Sequence, residues 1–489
     1  MSRASVELLS ALCDIRQSIE ADAALRIERW QSDIEQPTFA ASASNLAHYL
    51  ALRHHDLRDL QRELMRHGLS SLGRLESRVL VTLKTVESAL EASLHGKPPP
   101  SGWPCSPEEF FRGEARLQEN THALLGGSPE SGIGRILVTL SSEAARDPAY
   151  MIEMARRGAD VVRINCAHDN ADDWEAMIEN TRKAAEAVGR RIPVLMDIAG
   201  PKFRIGQVKR QAGERLAAGD RFRLVRDASA FSSDPMIEAV CKPADVLGHL
   251  TIGTEVSFDD GKLSGLVEAC QPDGVVVCVQ RSQLKGFKMK PERGLTFPRA
   301  ALQLDPLTAK DLTDLDFVAR HADLVGFSFV QSADDISRLQ DELAKRRTDW
   351  QRLGIIAKIE TAQAVTNLPD IVVRAAGKQK FGVMIARGDL AVAIGFERLA
   401  EMQEEILWLC EAAHVPVIWA TQVLEEMVKS GLPTRSEMTD AAMAGRAECV
   451  MLNKGPNVGD AIVALKGLLH RMVEHQSKKT SRLRALHSW

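Results

Sequence analysis

The chain has 489 residues, 45% of them hydrophobic and 26% charged, with a formal net charge of −4. This composition fits a globular protein with a substantial core and a length of about three average domains, and it gives no global basic field for nucleic acid. Only two tyrosines occur, no apolar run is long enough to cross a bilayer, and the eight cysteines are scattered without a CxxC pair. With no signal peptide at the start, free thiols and a cytoplasmic location are expected, with no membrane and no nucleic-acid partner.

Residues 1–130 are expected to be a helical accessory region, packed on the main domain or on another subunit. Residues 5–12, 57–65 and 75–94 carry apolar side chains at spacings of three and four. Lys97-Pro98-Pro99-Pro100-Ser101-Gly102 interrupts this pattern, and Gly126-Gly127-Ser128-Pro129 with Ser131-Gly132 marks a linker. His54 and His55 are adjacent, so they do not share a helix face and do not form a metal pair.

From 131 to 206 the pattern becomes strand, helix, strand. Ile136-Leu137-Val138-Thr139-Leu140, Val161-Val162-Arg163-Ile164-Asn165 and Ile192-Pro193-Val194-Leu195-Met196-Asp197 read as strands, with helices over 148–158 and 172–188. Residues 207–297 break the alternation into short β segments with a hairpin signal at Asp259-Asp260-Gly261, so a small inserted β domain is expected after strand 3. The alternation resumes over 298–475. A helix is expected over 308–321, then a strand over 324–329. Three further strands are expected at 355–360, 381–386 and 415–420. A helix over 439–446, a last strand at 449–452 and a closing helix at 460–475 complete the pattern. Eight strands counted from Arg135 predict an α/β fold, a (β/α)₈ TIM barrel with the inserted β domain and the N-terminal α-helical region. Residues 476–489 read as a basic, frayed tail.

The strand ends carry the chemistry. In Ile355-Ile356-Ala357-Lys358-Ile359-Glu360 the lysine and glutamate are two residues apart, on one side of a strand. Alone, this reads as an ion pair at a strand end. The next strand ends in Arg387-Gly388-Asp389, and the one after in Thr421-Gln422. Polar groups at the C-terminal ends of successive buried strands are the pattern of a barrel active site.

Together these blocks resemble the pyruvate kinase family over roughly two thirds of the chain. The matching stretches are Val162-Arg163-Ile164-Asn165-Cys166-Ala167-His168, Met196-Asp197-Ile198-Ala199-Gly200-Pro201-Lys202-Phe203-Arg204, Ala357-Lys358-Ile359-Glu360, Ile385-Ala386-Arg387-Gly388-Asp389-Leu390, Ala420-Thr421-Gln422-Val423-Leu424-Glu425 and Pro433-Thr434-Arg435-Ser436-Glu437, in the family's order. The resemblance implies a phosphotransferase, pyruvate kinase (EC 2.7.1.40 type), acting on phosphoenolpyruvate and ADP, and a homo-oligomer. It implies Glu360 and Asp389 as ligands of Mg²⁺ or Mn²⁺, and Lys358 beside the transferred phosphoryl group. Backbone amides of Arg387, Gly388 and Asp389 would hold the substrate carboxylate, and Thr421 would aid proton delivery. Arg163 and Arg204, with Asn165 and His168 nearby, would bind phosphate, and Arg293 stands where the family has a lid lysine that meets nucleotide phosphate. Each of these has a plainer role available: surface ion pairs for the arginines, a helix cap for Thr421, a structural hydrogen bond for His168.

Some positions depart from the family pattern. Ala167 and Ile198 replace a Ser and a Thr of the monovalent-cation site, and Lys202 replaces its usual Glu. K⁺-independent members carry that lysine, so Lys202, with Asn165 and Asp197 nearby, is expected to supply the charge of K⁺, and K⁺ is not expected to be required. Gln331 replaces an Arg, Ser141-Ser142 a Gly-Pro, and Asn453-Lys454-Gly455-Pro456 a Ser-Gly-Glu-Thr loop. No counterpart of the family's C-terminal effector domain is read in the sequence, so control by fructose bisphosphate through it is not expected. Two competing readings are a metal-enolate lyase or aldolase on the same barrel, and a catalytically weak regulatory or scaffolding relative.

Overall fold

The computed structural model describes residues 3–95, 105–127, 134–259, 261–298 and 305–482. The Pro-rich break at 97–102, the linker positions from Ser128 to Gly132, Asp260 and the end of the basic tail lie outside them. Eight parallel strands close into a barrel. They are β1 (Arg135–Thr139), β2 (Val161–Asn165), β3 (Val194–Asp197), β4 (Leu324–Phe327), β5 (Gly354–Ile359), β6 (Phe381–Ala386), β7 (Val417–Ala420) and β8 (Cys449–Leu452). Each strand pairs with the next in the chain and β8 closes on β1. The strands are nearly continuous apolar runs because both faces are buried, one against the barrel interior and one against the outer helices.

The inside of the barrel is filled by Leu137, Val161, Leu195, Leu324, Ile356, Met384, Ile418 and Met451. Leu124 and Leu125 join the same cluster from the end of the helix Arg112–Leu125, which plugs the N-terminal mouth. The strands make room for this plug. A Cβ on Gly354 or Gly382 would lie 2.7 Å from a Leu124 methyl, too close for carbon atoms to approach.

The other N-terminal helices dock on the outside of the same barrel, over the helices Leu368–Ala376 and Phe396–Ala412. Trp30 Nε1 donates to Asp370 at 2.7 Å, the Gln36 amide to Gly377 O at 2.8 Å, and Asn45 Nδ2 to Ala412 O at 2.8 Å. His414 is enclosed between Ser42 Oγ at 2.8 Å and Ser77 O at 2.9 Å. Burial pushes its pKa down to about 4, so the ring stays neutral at ordinary pH.

Between β3 and β4 the chain builds a second closed barrel of seven strands with a core of its own, including Phe222, Phe258 and Phe287. Its first strand, Phe203–Lys209, pairs antiparallel with its last, Gly294–Thr296. The expected boundary at 206/207 therefore falls inside a strand. Phe203 belongs to the insert because its ring packs edge-on against Phe297, 5.3 Å between centroids, and both are buried.

The tail differs from the frayed segment expected. Gln476–Ser477 and Thr480–Ser481 form a short antiparallel hairpin. Its lysines have buried partners, Lys478 on Glu448 and Lys479 on Glu76. The basic residues are held because they neutralise carboxylates that the N-terminal helices and the barrel bury together. No described helix is long and apolar enough to cross a membrane.

Candidate active site at the C-terminal rim of the barrel

The lysine at the end of β5 is the centre of the site. Lys358 Nζ lies 2.7 Å from Ser328 Oγ, 3.1 Å from Glu360 Oε1 and 3.4 Å from Asp197 Oδ2. Asp197 ends β3 and is fully enclosed. It also accepts from Arg163 Nε at 2.8 Å, and Arg163 Nη1 reaches Thr139 Oγ1 at 3.2 Å. Strands β1, β2, β3 and β5 thus contribute to one network. The close approach has a local requirement: a Cβ at Gly326 of β4 would sit 2.7 Å from Asp197 Oδ1.

The electrostatics follow from the packing. Burial alone would push Asp197 up, but Lys358 and Arg163 outweigh it and hold the carboxyl below its usual range. Burial opposes the charged form of Lys358, yet Asp197 and Glu360 keep its pKa raised. Glu360 is pushed up by burial and also by the charge of Asp389, against the pull of Lys358. Its Oε2 accepts the amide of Phe329 at 2.6 Å.

That last bond explains a difference from the sequence expectation. The ladder of β4 stops at Phe327 instead of continuing to Phe329. Ser328 turns inward, donating to Ile198 O at 2.7 Å and contacting Asp197 Oδ1 at 3.3 Å. Phe329 takes a left-handed backbone, φ 56°, which points its amide at Glu360.

Asp389 stands in the first turn of the helix Arg387–Ile394, which follows β6 directly. Its two oxygens receive Lys202 Nζ at 3.0 and 3.1 Å. Sequence reading grouped Lys202 with Asn165 and Asp197. Its ammonium bonds Asp389, while Asn165 Oδ1 accepts the Ala167 amide at 3.1 Å and Asp197 is engaged by Arg163 and Lys358. Among the described residues no cluster of three or more His, Cys, Asp or Glu forms a ready-made metal site. The donor set that is present suits a hard divalent cation: two carboxylates, Glu360 and Asp389, raise each other's charge cost at the rim, and each has an ammonium against it, Lys358 on Glu360 and Lys202 on Asp389. Mg²⁺ is commonly held by one or two carboxylates, with water and substrate oxygens completing the shell.

The end of β7 is strained and tied to β6. Thr421, Gln422 and Leu424 have φ of 66°, 58° and 48°, a region that side chains other than glycine seldom adopt and that costs about 1–3 kcal/mol each. Thr421 Oγ1 accepts the Gly388 amide at 3.0 Å. The Arg387 side chain is buried. It donates to Ala420 O at 3.0 Å and to Asp440 at 2.5 and 2.9 Å, it reaches Thr421 O, and it lies 5.0 Å over the Trp419 ring.

Positive charge gathers around His168. Partial desolvation of His168 and the positive charges of Lys454 and Arg204 push its pKa down. Arg204 Nη1 donates to Glu292 O at 3.3 Å. Arg293 pairs with Asp259 within the insert and lies 5.4 Å over Phe287. Sequence reading did not single out Ser328, Asp440 or Lys454 as site residues. Ser328 leaves a signal, a lone hydroxyl in an apolar strand run. Asp440 leaves none, because its partner is distant in the chain.

Comparison with known proteins places this geometry. The pyruvate kinase barrel domain family matches residues 133–460. Pyruvate kinase of Mycobacterium tuberculosis is 31% identical over 343 residues, 70% of this chain and 69% of the relative. That of Dictyostelium discoideum is 30% identical over 331 residues, 67% and 62% of the two chains, and that of Thermococcus litoralis 31% over 360 residues, 72% of each. With the matching motifs gathered on one rim of a (β/α)₈ barrel, the chain belongs to the pyruvate kinase family of phosphotransferases.

Proposed function

We propose that the chain transfers the phosphoryl group of phosphoenolpyruvate to ADP, giving pyruvate and ATP, with Mg²⁺ or Mn²⁺ and without a K⁺ requirement. The observation that carries this reading is the buried Lys358 ammonium, fixed by Ser328, Glu360 and Asp197 at the barrel rim. Phosphoryl transfer asks the protein for positioning and for neutralisation of oxygens, with little covalent chemistry. A fixed ammonium in a low-dielectric site meets that need without reorganising as charge moves. A lyase or aldolase transfers no phosphoryl group, so it has no moving phosphoryl charge to neutralise.

In this reading Lys358 lies beside the phosphoryl group and offsets its charge as the bond to the enol oxygen breaks and the bond to ADP forms. Glu360 and Asp389 hold the divalent cation, which supplies Lewis-acid stabilisation of substrate oxygens when bound. The amides at the start of Arg387–Ile394 hold the substrate carboxylate; Gly388 N, now on Thr421 Oγ1, would exchange that partner. Thr421 then has its hydroxyl released for proton delivery to the enolate carbon. Arg163, Arg204 and Arg293 meet phosphate oxygens, with Asn165 and His168 supporting them, and the inserted domain closes over the mouth and excludes water.

A coupled assay with phosphoenolpyruvate, ADP and Mg²⁺ tests this directly, extended to a panel of nucleoside diphosphates. Turnover that disappears in Lys358→Met supports the assignment. Full turnover in that variant removes it, and no turnover in the wild-type chain removes the reaction.

A further inference from the structure

A cavity of about 590 Å³ lies at the opposite end of the barrel, between the helix Pro37–Leu52, the turn Glu76–Arg78, the start of the helix Arg112–Leu125, and His414 just ahead of β7. Its volume is that of a small-molecule site. None of its lining residues belongs to the rim around Lys358.

Three guanidinium groups face this space: Arg78, Arg112 and Arg116. Arg112 and Arg116 are one helical turn apart at the N-terminal end of their helix, so their side chains share a face. Neither makes an ion pair or hydrogen bond with another described residue. Arg78 is held rigidly, its Nη1 on Glu114 and its plane against Phe110 and Phe111 at 4.8 and 5.1 Å. Its Nε is buried and has no hydrogen-bond partner among the described residues. A guanidinium nitrogen left so is costly, and an acceptor oxygen entering the cavity removes the cost. Glu108 and Glu109 line the same space and leave room for donor groups on the ligand. The neighbouring ring of His414 is satisfied at both nitrogens, so the arginines carry the recognition.

We propose that this cavity is a binding site for a small anion, a metabolite bearing phosphate or carboxylate groups together with hydroxyl or ammonium donors. Arg112 and Arg116 take its anionic group in charge-assisted hydrogen bonds, and Arg78 Nε donates from the cavity floor. The binding does not depend on the kinase reading, because no rim residue takes part.

Calorimetric titration of the full chain tests it, with inorganic phosphate, glucose 6-phosphate and malate as separate probes. The titrations are run in Lys358→Met as well as wild type, to separate this site from the barrel mouth. Binding of at least one probe is expected, unchanged in Lys358→Met and weakened at least about tenfold in Arg112→Gln/Arg116→Gln. The sugar phosphate and malate arms distinguish the two anion classes. Arg112 is exposed and Arg116 partly so, and circular dichroism checks that the double variant and Lys358→Met are both folded; Arg116→Lys, keeping the charge, should retain most of the affinity. Affinity equal in the double variant and wild type, loss of binding only in Lys358→Met, or no binding by any probe at about 10 mM overturns the proposal.

Discussion

Lys202, from the loop after β3, spans to Asp389 in the helix after β6 and contacts both carboxylate oxygens, at 3.0 and 3.1 Å. The ammonium is partly buried there and also lies 5.9 Å over the Phe329 ring. It thus delivers fixed positive charge to the same rim on which Glu360 and Asp389 repel each other. A protein that carries its own cation here has less need of a soluble one.

The expectation is that turnover survives replacement of K⁺ by a tetraalkylammonium ion. Lys202→Glu reverses the charge beside Asp389 and should lower K⁺-free turnover at least about tenfold, with K⁺ restoring part of it, since one charge–charge contact at this depth is worth about 1–3 kcal/mol. Steady-state rates across a K⁺ titration decide. Wild-type activity that vanishes without K⁺ would remove this role for Lys202.

Ser328 is the hydroxyl closest to the Lys358 ammonium, at 2.7 Å. Ser328→Ala leaves the lysine its two carboxylates but loosens its direction. We expect kcat to fall about tenfold with KM nearly unchanged, because positioning matters most when charge develops on the phosphoryl group. Lys358→Met acts on stability as well. It leaves Asp197 and Glu360 short of a buried partner, which costs about 3–5 kcal/mol when a buried pair is broken. A melting temperature measured beside the rates separates the two effects.

The barrel was legible in the sequence because its strands are buried on both faces and so stand out as short apolar runs separated by helices. Lys358 stands near the end of such a run and Glu360, Asp389 and Thr421 follow one, so their place at the rim could be read from the sequence. What was hidden depends on distance along the chain. The contact of Lys202 with Asp389 was not foreseen, since nothing near Lys202 in sequence tells of Asp389, 187 positions on. The insert boundary was placed late because Phe203 is recruited by Phe297 across the neck of the inserted domain. The docked tail was read as frayed because Glu76 and Glu448, which hold its lysines, look like ordinary surface acids.

Arg387 and Asp440 form a two-bond pair at 2.5 and 2.9 Å, with the arginine buried. Asp440 is about one-third exposed, so the pair is partly screened. Asp440→Ala leaves the guanidinium with carbonyl acceptors only, and should cost about 1–3 kcal/mol in urea unfolding. It also frees the end of β7, so a rise in KM for phosphoenolpyruvate is expected alongside. Unchanged stability and unchanged KM would show that the carbonyls of Ala420 and Thr421 suffice.

The burial of Glu411, close to the docked hairpin, predicts a pH dependence. Burial, with Glu76 and Glu448 adding to it against the pull of Lys478 and Lys479, pushes Glu411 up to about 7 from an ordinary 4.5. The folded protein therefore holds this proton more tightly than the unfolded chain does. Stability from this group is fully present below pH 4.5 and is lost as pH rises toward 7. Glu411→Gln keeps the neutral form at every pH, so it should flatten the fall in melting temperature across that window and raise stability above it. Parallel curves for variant and wild type would mean that Lys478 and Lys479 already compensate the Glu411 charge in full.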